Sequence, residues 1–488
     1  MTAKLLFQIA LQLFLLLNLL CLQLVTAQSY ECFQFPEQKP SGSINLYSDV
    51  FNTKTTYLNA WQFLQERANI TVGVEGTCKP IYLFYIGRHS IRYPMKKEVV
   101  KFTEVLPGVR QELLRGGRLS RNVQADLQRW RLFISPSESA RVTLSGQLDT
   151  ALQARHFYQH FPNLLNIEKS NIEVGVTSKI RSKETAQAFI RAISELQMRE
   201  KLPFEEANEA VEKLVKEKFA MPTKDNTIMS HERCKKHRTP ERKARERKEY
   251  TELSQSAPIQ IMVRQWYQRN GLQFPPSQSG KKSANSTAFD TMTTVYQACA
   301  NEMAVLQHSP WCALFTTNEL KALSYMSDTY EYRSSTNADN GIACTIMKDL
   351  TAQLDAATAR LKGGRGPVTP GSTLYFSHKG MISRLVQHLG LFSRAPSHHL
   401  DPSNPGRLCV AGDRQFRSST VLPFGANFAA VLHQCGGDKS GQLKLLTLYN
   451  EMPVKIAGCS SSFCDLNEFM QFYGSATCPV DVICPLKK

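Results

Sequence analysis

One arrangement limits how this chain can fold more than any other: in three places a short apolar run leads directly into cationic residues and then into a helical pattern. Apolar runs too short for a helix are typical of strands that are covered on both faces, as in parallel sheets between helices. Parallel strands of one sheet end at the same edge, where the following helices begin. The pattern therefore predicts an α/β fold, a three-layer sandwich with a mostly parallel sheet, whose three junctions lie together.

The three junctions are far apart in the sequence. The apolar runs and the cationic residues that follow them are 81–86 with Arg88, His89 and Arg92; 172–176 with Lys179 and Arg181; and 374–376 with His378 and Lys379. Apolar residues at three- to four-residue spacing after the second and third clusters indicate helices. Helix N-termini at such an edge add N–H groups and a positive dipole to the cationic side chains, so the site would attract phosphate.

The residue types at the junctions suit phosphoryl chemistry. Arginine offers planar, bidentate donors for phosphoryl oxygens, and a neutral imidazole among guanidinium groups can attack phosphorus to form a phosphohistidine. Each residue taken alone has a simpler explanation, since a single histidine after a strand is more often structural and an arginine at a helix start can pair with a carboxylate. The recurrence at three junctions favours the functional interpretation.

The N-terminus indicates export. Residues 1–27 combine a positive charge near their start, a leucine-rich stretch and small residues at their end, which predicts a cleaved signal peptide rather than a retained anchor. Cleavage removes Cys21 and leaves twelve cysteines, an even number that predicts disulfides in an exported protein. Sequons at Asn69 and Asn285 predict glycosylation at the surface. The mature chain is expected to be secreted or at the cell surface, with the lumen of the endoplasmic reticulum as the alternative.

Neither a metal nor a cofactor is expected. The nearest cysteine pairs, Cys459 with Cys464 and Cys478 with Cys484, are five and six residues apart and lack paired histidines. This spacing does not fit a zinc site.

The net charge indicates a polyanionic partner. The formal charge is +17 with neutral histidines, and the segment from Arg233 to Lys248 contains nine Lys and Arg against two Glu. A solvated helix or loop is the simpler interpretation of that segment, and binding to an acidic glycan or a membrane surface is the alternative. No nucleic-acid partner is expected, and the oligomeric state is left open.

The first junction carries a motif that a known family shares. Arg88 and His89, followed by Arg92 and Pro94, resemble the RHGxRxP signature of the histidine acid phosphatases. The similarity to this family, and within it to the multiple inositol polyphosphate phosphatase branch, runs in the family's order from about residue 45 to about residue 455. It includes residues 177–189, 310–315, 376–392 and 416–427.

The resemblance implies a two-step hydrolysis of phosphate monoesters that requires no metal. His89 would be the nucleophile. The other catalytic residues, which would also bind the scissile phosphate and stabilise its charge in the transition state, would be Arg88, Arg92, Arg181 and His378. Lys379, an ammonium group beside the phosphate, would be a further substrate-binding residue. The branch implies inositol polyphosphates, such as the hexakisphosphate, and 2,3-bisphosphoglycerate as substrates.

Two positions depart from the family pattern. Ser90 stands where the family has glycine, and it adds a Cβ and a hydroxyl close to the phosphate-binding backbone. In the third junction the sequence reads His378-Lys379-Gly380, so that Gly380 stands where the branch has a glutamate that acts as general acid. Loss of a general acid typically lowers a rate by about 10² to 10⁴.

Three functions therefore stay open. The first is a working phosphatase in which water, Lys379 or an acid from elsewhere protonates the leaving group. The second is a catalytically weak or inactive relative that binds inositol polyphosphates or other polyanions. The third is a surface-binding function of the segment from Arg233 to Lys248. The intact nucleophile and arginine set favour the first.

The length of the chain indicates either a large domain with a sizeable insertion or two to three domains. Residues 28–194 and 335–488 are expected to form a discontinuous α/β domain. Residues 195–334 are expected to form a mainly helical insertion, judged from runs such as 204–219 and 288–307. The insertion would form one wall of the substrate cleft.

Overall fold

The computed structural model describes most of the chain. The described residues are 30–35, 50–65, 78–116, 118–167, 171–199, 201–217, 221–234, 239–276, 283–336, 340–361, 371–412, 414–436, 441–474 and 478. The signal peptide predicted at residues 1–27 and the sequon at Asn69 lie outside them and stay predictions. Within these ranges, no helix combines the length and the apolar character needed to cross a bilayer.

Strands and helices are distributed along the whole described chain. The strands are β1 (Tyr30–Gln34), β2 (Cys78–Arg88), β3 (Ile172–Val176), β4 (Ser372–Ser377), β5 (His398–Leu400), β6 (Arg407–Ala411), β7 (Asn427–Cys435), β8 (Gln442–Tyr449), β9 (Met452–Pro453) and β10 (Phe463–Asp465). The α-helices are α1 (Tyr57–Gln65), α2 (Lys96–Gly116), α3 (Arg121–Arg129), α4 (Leu144–His160), α5 (Ile180–Arg199), α6 (Phe204–Glu217), α7 (Asp225–Ile228), α8 (Ser230–Arg233), α9 (Pro240–Gln255), α10 (Ala257–Asn270), α11 (Ala284–Leu306), α12 (Thr317–Thr336), α13 (Cys344–Leu361), α14 (Lys379–His388), α15 (Ser418–Val421) and α16 (Leu466–Tyr473). Short 3-10 helices are Asn52–Lys54, Pro136–Glu138, Pro310–Leu314 and Asn340–Ala343.

Seven of the described strands form one sheet, in the order β10-β8-β7-β2-β4-β3 with β9 paired to β8. The three strands that precede the cationic junctions, β2, β4 and β3, are parallel neighbours. Their register places Arg88 opposite Ser377 and Val176 opposite Phe376, so the three strands end level with one another. The predicted α/β fold is confirmed, and its three junctions meet at one edge of the sheet.

The sheet is mixed rather than mostly parallel, which corrects one detail of the expected fold. β7 pairs antiparallel with β2 and with β8, and β8 pairs antiparallel with β9 and β10. The chain passes from β7 to β8 through residues 436–441 alone. A connection this short joins antiparallel strands, whereas parallel strands need a crossover of about a dozen residues or more. The parallel half of the sheet is the half that carries the junctions.

Both faces of the sheet are covered by helices, as a three-layer sandwich requires. Tyr82, Phe84 and Ile86 of β2 belong to a hydrophobic cluster with α13 and α14 on one face. Leu83 and Tyr85 belong to a second cluster with α4 and α5 on the other face. Successive residues of a strand point to opposite faces, so a strand buried on both sides is apolar throughout. This packing explains the continuous apolar run at residues 81–86.

A second hydrophobic core lies beside the sheet. It contains side chains of α2, α3 and α9 to α12, together with β1 and β6, which belong to a small sheet in the order β1-β6-β5. Trp266 and Trp311 are among its fully buried side chains. This core draws on α2 and α3 as well as on the region expected as an insertion, while Val215 of α6 packs against the sheet. The division at residues 194 and 335 stays a prediction.

Five disulfides join described cysteines, which confirms the prediction of disulfide bonding. The pairs are Cys32–Cys409, Cys78–Cys435, Cys299–Cys312, Cys344–Cys478 and Cys459–Cys464, and Cys234 is also disulfide-bonded. The first pair joins β1 to β6, and the second joins β2 to β7. Such bonds persist in oxidising compartments, so they are compatible with a secreted or lumenal protein.

Candidate active site

A cavity of about 1070 Å³ lies at the edge where β2, β3 and β4 end. One wall contains this edge and the first turns of α5 and α14, and the other contains side chains of α9, α11 and α12. Six residues that the sequence singled out at the junctions line it: Arg88, His89, Arg92, Arg181, His378 and Lys379. The tertiary structure thus brings the expected site residues together, and their roles stay proposals.

His89 follows the last residue of β2 and is 4% exposed. Its backbone N–H donates to the carbonyl of Ser377 at 2.9 Å, which continues the pairing of β2 with β4. Its Nδ1 lies 3.0 Å from the carbonyl oxygen of Ser90. A carbonyl can only accept, so Nδ1 carries the proton. Nε2 therefore keeps its lone pair, which a nucleophilic histidine requires.

The surroundings of His89 keep its ring neutral. Burial holds the pKa of His89 well below its ordinary value, and the positive charges of Arg88, Arg92 and Arg181 lower it further. The ring of His378 lies close by, with the two ring centroids 5.5 Å apart. A neutral imidazole can act as a nucleophile at acidic as well as at neutral pH.

This depressed pKa predicts a pH-dependent contribution to stability. Between pH 6.5 and the lower pKa of the folded state, the unfolded chain binds a proton at His89 that the folded chain does not. The free energy of unfolding therefore falls as the pH drops. Part of this loss falls between pH 7 and pH 5, the interval that contains the ordinary pKa of a histidine. We expect the parent protein to lose more thermal stability over this interval than His89→Asn, measured by melting temperatures at both pH values. Equal losses in the two proteins would contradict the prediction.

Arg88 is fixed in place by backbone carbonyls. Its Nη1 donates to the carbonyls of Thr53 and Leu422, at 2.8 and 2.7 Å. Its guanidinium lies 4.3 Å from the ring centroid of Phe424. Burial, together with the nearby charge of Arg92, lowers the pKa of Arg88 to about 9, so the group is still charged at neutral pH. It provides a positive charge at a fixed position in the cavity.

Arg92 belongs to a cluster of three charged side chains, with Glu98 and Lys54, and the sequence singled out only Arg92. Glu98 of α2 lies 3.7 Å from Arg92 Nη1 and 2.9 Å from Lys54 Nζ. Burial alone would raise the pKa of Glu98, but Lys54 and Arg92 hold it at about 2. Burial lowers the pKa of Lys54 to about 8. Lys54 and Glu98 line the same cavity as Arg92, and neither follows a junction strand.

The second and third junctions contribute Arg181 and His378. Arg181 lies in the first turn of α5, and His378 is the N-cap residue of α14. His378 Nε2 lies 2.9 Å from Oγ1 of Thr177, the residue that follows β3. Burial and Arg92 lower the pKa of Arg181 to about 10, and burial and Arg181 hold the pKa of His378 well below its ordinary value. These positions place two helix N-termini at the cavity, where they favour an anion.

Several buried donors at this edge lack an acceptor. Within the described part of the chain, no hydrogen-bond partner is found for the Nε atoms of Arg88, Arg92 and Arg181, or for His378 Nδ1. A buried donor without a partner is costly in a folded protein and is often explained by a ligand or an ordered solvent molecule. The three arginine Nε donors beside His89 suit a ligand with several oxygen acceptors.

Lys379 lines the cavity, but its ammonium group has a protein partner. It forms an ion pair with Glu331 of α12, a side chain from the opposite wall that is 8% exposed. The sequence predicted Lys379 as a substrate-binding residue and did not reveal Glu331. α12 contributes most of its buried apolar side chains to the second core and also packs against α14, which brings Glu331 to Lys379. The binding role of Lys379 stays a proposal.

Ser90, the first departure from the family motif, fits the fold without entering the cavity. Its hydroxyl donates to the carbonyl of Gly146 in α4 at 2.7 Å, and its backbone N–H donates to Thr185 Oγ1 at 3.1 Å. The residue is 1% exposed. The additional hydroxyl is therefore satisfied by α4 and does not line the cavity.

The basic segment from Arg233 to Lys248 divides between interior and surface. Arg242 is buried and its Nε lies 2.8 Å from Glu246 Oε1, whereas Lys243 and Arg245 are exposed. Arg247 lines the cavity and extends its cationic wall. Binding of an acidic glycan or a membrane by this segment stays a prediction.

Asn285, the sequon that the structure describes, lies in the first turn of α11. It is partly exposed, lines the cavity, and its Oδ1 accepts a hydrogen bond from Arg264 Nη2 at 3.1 Å. Its glycosylation stays a prediction. Among the described residues, no group of three His, Cys, Asp or Glu is arranged to hold a metal ion.

Comparison with known proteins agrees with this geometry. The family model of the histidine phosphatase superfamily (branch 2) matches residues 82–448. Multiple inositol polyphosphate phosphatase 1 from Homo sapiens is 24% identical over 399 residues, which cover 79% of this chain and 77% of the human protein. These matches confirm the resemblance that the junction motifs indicated.

Two solved structures share the fold. The phytase from D. castellii superposes with a TM-score of 0.62 at 16% identity and covers 93% of each chain. The Bifidobacterium longum multiple inositol polyphosphate phosphatase, in complex with inositol hexasulfate, superposes with a TM-score of 0.57 at 14% identity, over 88% of this chain and 98% of that one. At these identities the likeness concerns the fold alone.

Proposed function

The chain belongs to branch 2 of the histidine phosphatase superfamily, and from that membership we propose that it hydrolyses inositol polyphosphates through a phosphohistidine intermediate. One observation carries the proposal. The neutral His89, with Nε2 available for attack, lies in one cavity with three arginines whose buried Nε atoms have no acceptor among the described residues. This combination provides a nucleophile and the positive charge that a phosphoryl group requires.

The mechanism follows from these groups. The lone pair of His89 Nε2 attacks phosphorus, a P–N bond forms, and the P–O bond to the leaving group breaks with its electron pair on oxygen. Arg88, Arg92 and Arg181 stabilise the charge on the phosphoryl oxygens, which is the main contribution a protein makes to phosphoryl transfer. A water molecule then attacks the phosphohistidine, releases inorganic phosphate and restores the neutral imidazole.

The size and charge of the cavity support a polyphosphorylated substrate. A volume of about 1070 Å³ is more than one phosphate needs, and further cations line it beyond the arginine set, among them Lys54, Lys97 and Arg247. The proteins compared above are inositol polyphosphate phosphatases and a phytase, and one of them was solved in complex with inositol hexasulfate. We propose inositol hexakisphosphate and lower inositol phosphates as substrates, with 2,3-bisphosphoglycerate as a smaller one. The disulfides support an enzyme of the secretory pathway.

The test is phosphate release by the protein that comprises residues 28–488, produced in a secretory host. We expect turnover of inositol hexakisphosphate between pH 4 and pH 8. We also expect bound phosphate that survives denaturation in alkali and is lost in acid after a rapid quench, because a phosphohistidine has this stability. Binding of inositol hexakisphosphate without phosphate release or a bound phosphate would instead support a polyphosphate-binding protein. Gly380, which provides no carboxyl at the usual acid position, is the feature that favours this alternative.

A further inference from the structure

The position that lacks a carboxyl is filled by a side chain from another part of the chain. A Cβ built on Gly380 would lie 2.6 Å from Nε2 and 2.8 Å from Cδ2 of His231. Real Cβ atoms do not approach ring atoms this closely. The imidazole of His231 therefore occupies the space into which any side chain at residue 380 would extend.

His231 belongs to the same cavity as the nucleophile. It lies in α8, and its side chain is 9% exposed and lines the cavity with His89, His378 and Gly380. Its charge acts on His378, which places the two imidazoles within electrostatic range. Among the charged groups around it, Glu232 Oε1 lies 4.0 Å from His231 Nε2, and Arg384 Nη1 lies 3.4 Å from the same built Cβ position.

Three other titratable groups that line the cavity are poorly suited to donate a proton. Glu331 is ion-paired with Lys379, and a paired carboxylate has no proton to give. Glu98 contacts Lys54 and Arg92, which hold its pKa at about 2. His378 has a pKa well below its ordinary value, so it is neutral under the same conditions. Of these five titratable groups, His231 and its neighbour Glu232 remain as candidate proton donors.

We propose that His231 is the proton donor to the leaving group, an inference that rests on the phosphatase function proposed above. As the P–O bond breaks, its electron pair stays on the leaving oxygen, which takes the proton from the protonated imidazole of His231. The product alcohol leaves, and the imidazole is neutral. In the second step the neutral imidazole accepts a proton from the water that attacks the phosphohistidine, and it is ready for the next cycle.

The leaving group provides the decisive readout. An inositol alkoxide needs a proton as it departs, whereas p-nitrophenolate is a stable anion and needs little help. We expect His231→Ala to lower kcat for inositol hexakisphosphate by about 10² to 10⁴, the usual effect of a lost general acid. The loss for p-nitrophenyl phosphate is expected to stay under about tenfold. A loss of equal size on both substrates, or none on inositol hexakisphosphate, would overturn the proposal. His308→Ala, a histidine with a 69% exposed side chain outside the cavity, is the matched control.

A second pair of variants tests whether a carboxyl at residue 380 can replace the imidazole of His231. Gly380→Glu alone is expected to give no gain, because His231 occupies the position its side chain needs. His231→Gly combined with Gly380→Glu provides both the room and the acid. The kcat of this double variant for inositol hexakisphosphate is expected to be at least about tenfold higher than that of His231→Gly. Absence of recovery in a folded double variant would count against a proton-donor role at this position.

Glu232→Gln distinguishes His231 from Glu232 as the proton donor. If this variant, rather than His231→Ala, shows the loss that depends on the leaving group, Glu232 is the acid and the proposal for His231 is wrong. Failure of the proposed function has a different signature: the parent protein would release phosphate from neither substrate, which overturns both proposals. A third outcome is that the parent turns over both substrates, His89→Ala loses this activity, and His231→Ala lowers kcat equally on both. In that case the proposed function holds, and only the inference about His231 is overturned.

Discussion

Replacement of His89 by alanine is expected to reduce phosphate release from inositol hexakisphosphate by at least about 10⁴-fold, the scale of losses seen when a covalent nucleophile is removed. The reason is geometric as well as chemical. His89 Nε2 keeps its lone pair because Nδ1 donates to the carbonyl of Ser90, and burial keeps the ring neutral. Alanine removes the only protein atom that the proposed mechanism bonds to phosphorus.

The same variant distinguishes chemistry from binding. His89→Ala keeps Arg88, Arg92 and Arg181, so we expect inositol hexakisphosphate to bind with an affinity within about tenfold of the parent, measured by calorimetry. It is also expected to yield no alkali-stable bound phosphate after a rapid quench. His308→Ala provides the control for a histidine outside the cavity. Retained turnover in a folded His89→Ala protein would rule out the phosphohistidine mechanism.

Replacement of Arg181 by alanine is expected to lower kcat by about 10² to 10³, the usual effect of removing one preorganised charge or donor from a transition state. Arg181 is suited to this role because it lies in the first turn of α5, and its buried Nε has no acceptor among the described residues. Arg181→Lys keeps a charge but loses the planar pair of donors, so only part of the activity is expected to return.

Helix α5 offers a matched control for Arg181. Arg191 lies on the same helix, about three turns later, with a side chain that is 49% exposed and paired with Glu195. Arg191→Ala removes the same kind of side chain from the same helix, and its kcat is expected to stay within about twofold of the parent. Similar losses in Arg181→Ala and Arg191→Ala would show that a general change of the helix, rather than a lost phosphate contact, causes the effect.

The junctions made much of the fold predictable. A strand that is buried on both faces has no polar side, so Tyr82 and Phe84 can be recognised without knowing which helix covers them. Because parallel strands end at one edge, His89, Arg181 and His378 could be expected to meet although 92 residues separate the first two and 197 the last two. The antiparallel half was harder to predict, since strand direction depends on which segments become neighbours.

The second wall of the cavity could not be predicted in the same way. Lys54, His231 and Glu331 follow no junction strand, and each lies in a segment without a recognisable motif. They reach the cavity because the helices of the second core and the short helix α8 pack against the sheet edge. The ion pair between Lys379 and Glu331 likewise could not be predicted from the sequence.

The sequence alone identified the candidate nucleophile, the arginine set and the edge of the sheet at which they gather, because these depend on strand patterns and on residues a few positions away along the chain. The tertiary structure alone decided which side chains face them across the cavity. Contacts between distant segments depend on how whole helices pack, and no local periodicity encodes that packing. His231 beside Gly380 is the clearest case: the sequence reveals a missing carboxyl, and only the folded chain reveals the imidazole that occupies its place.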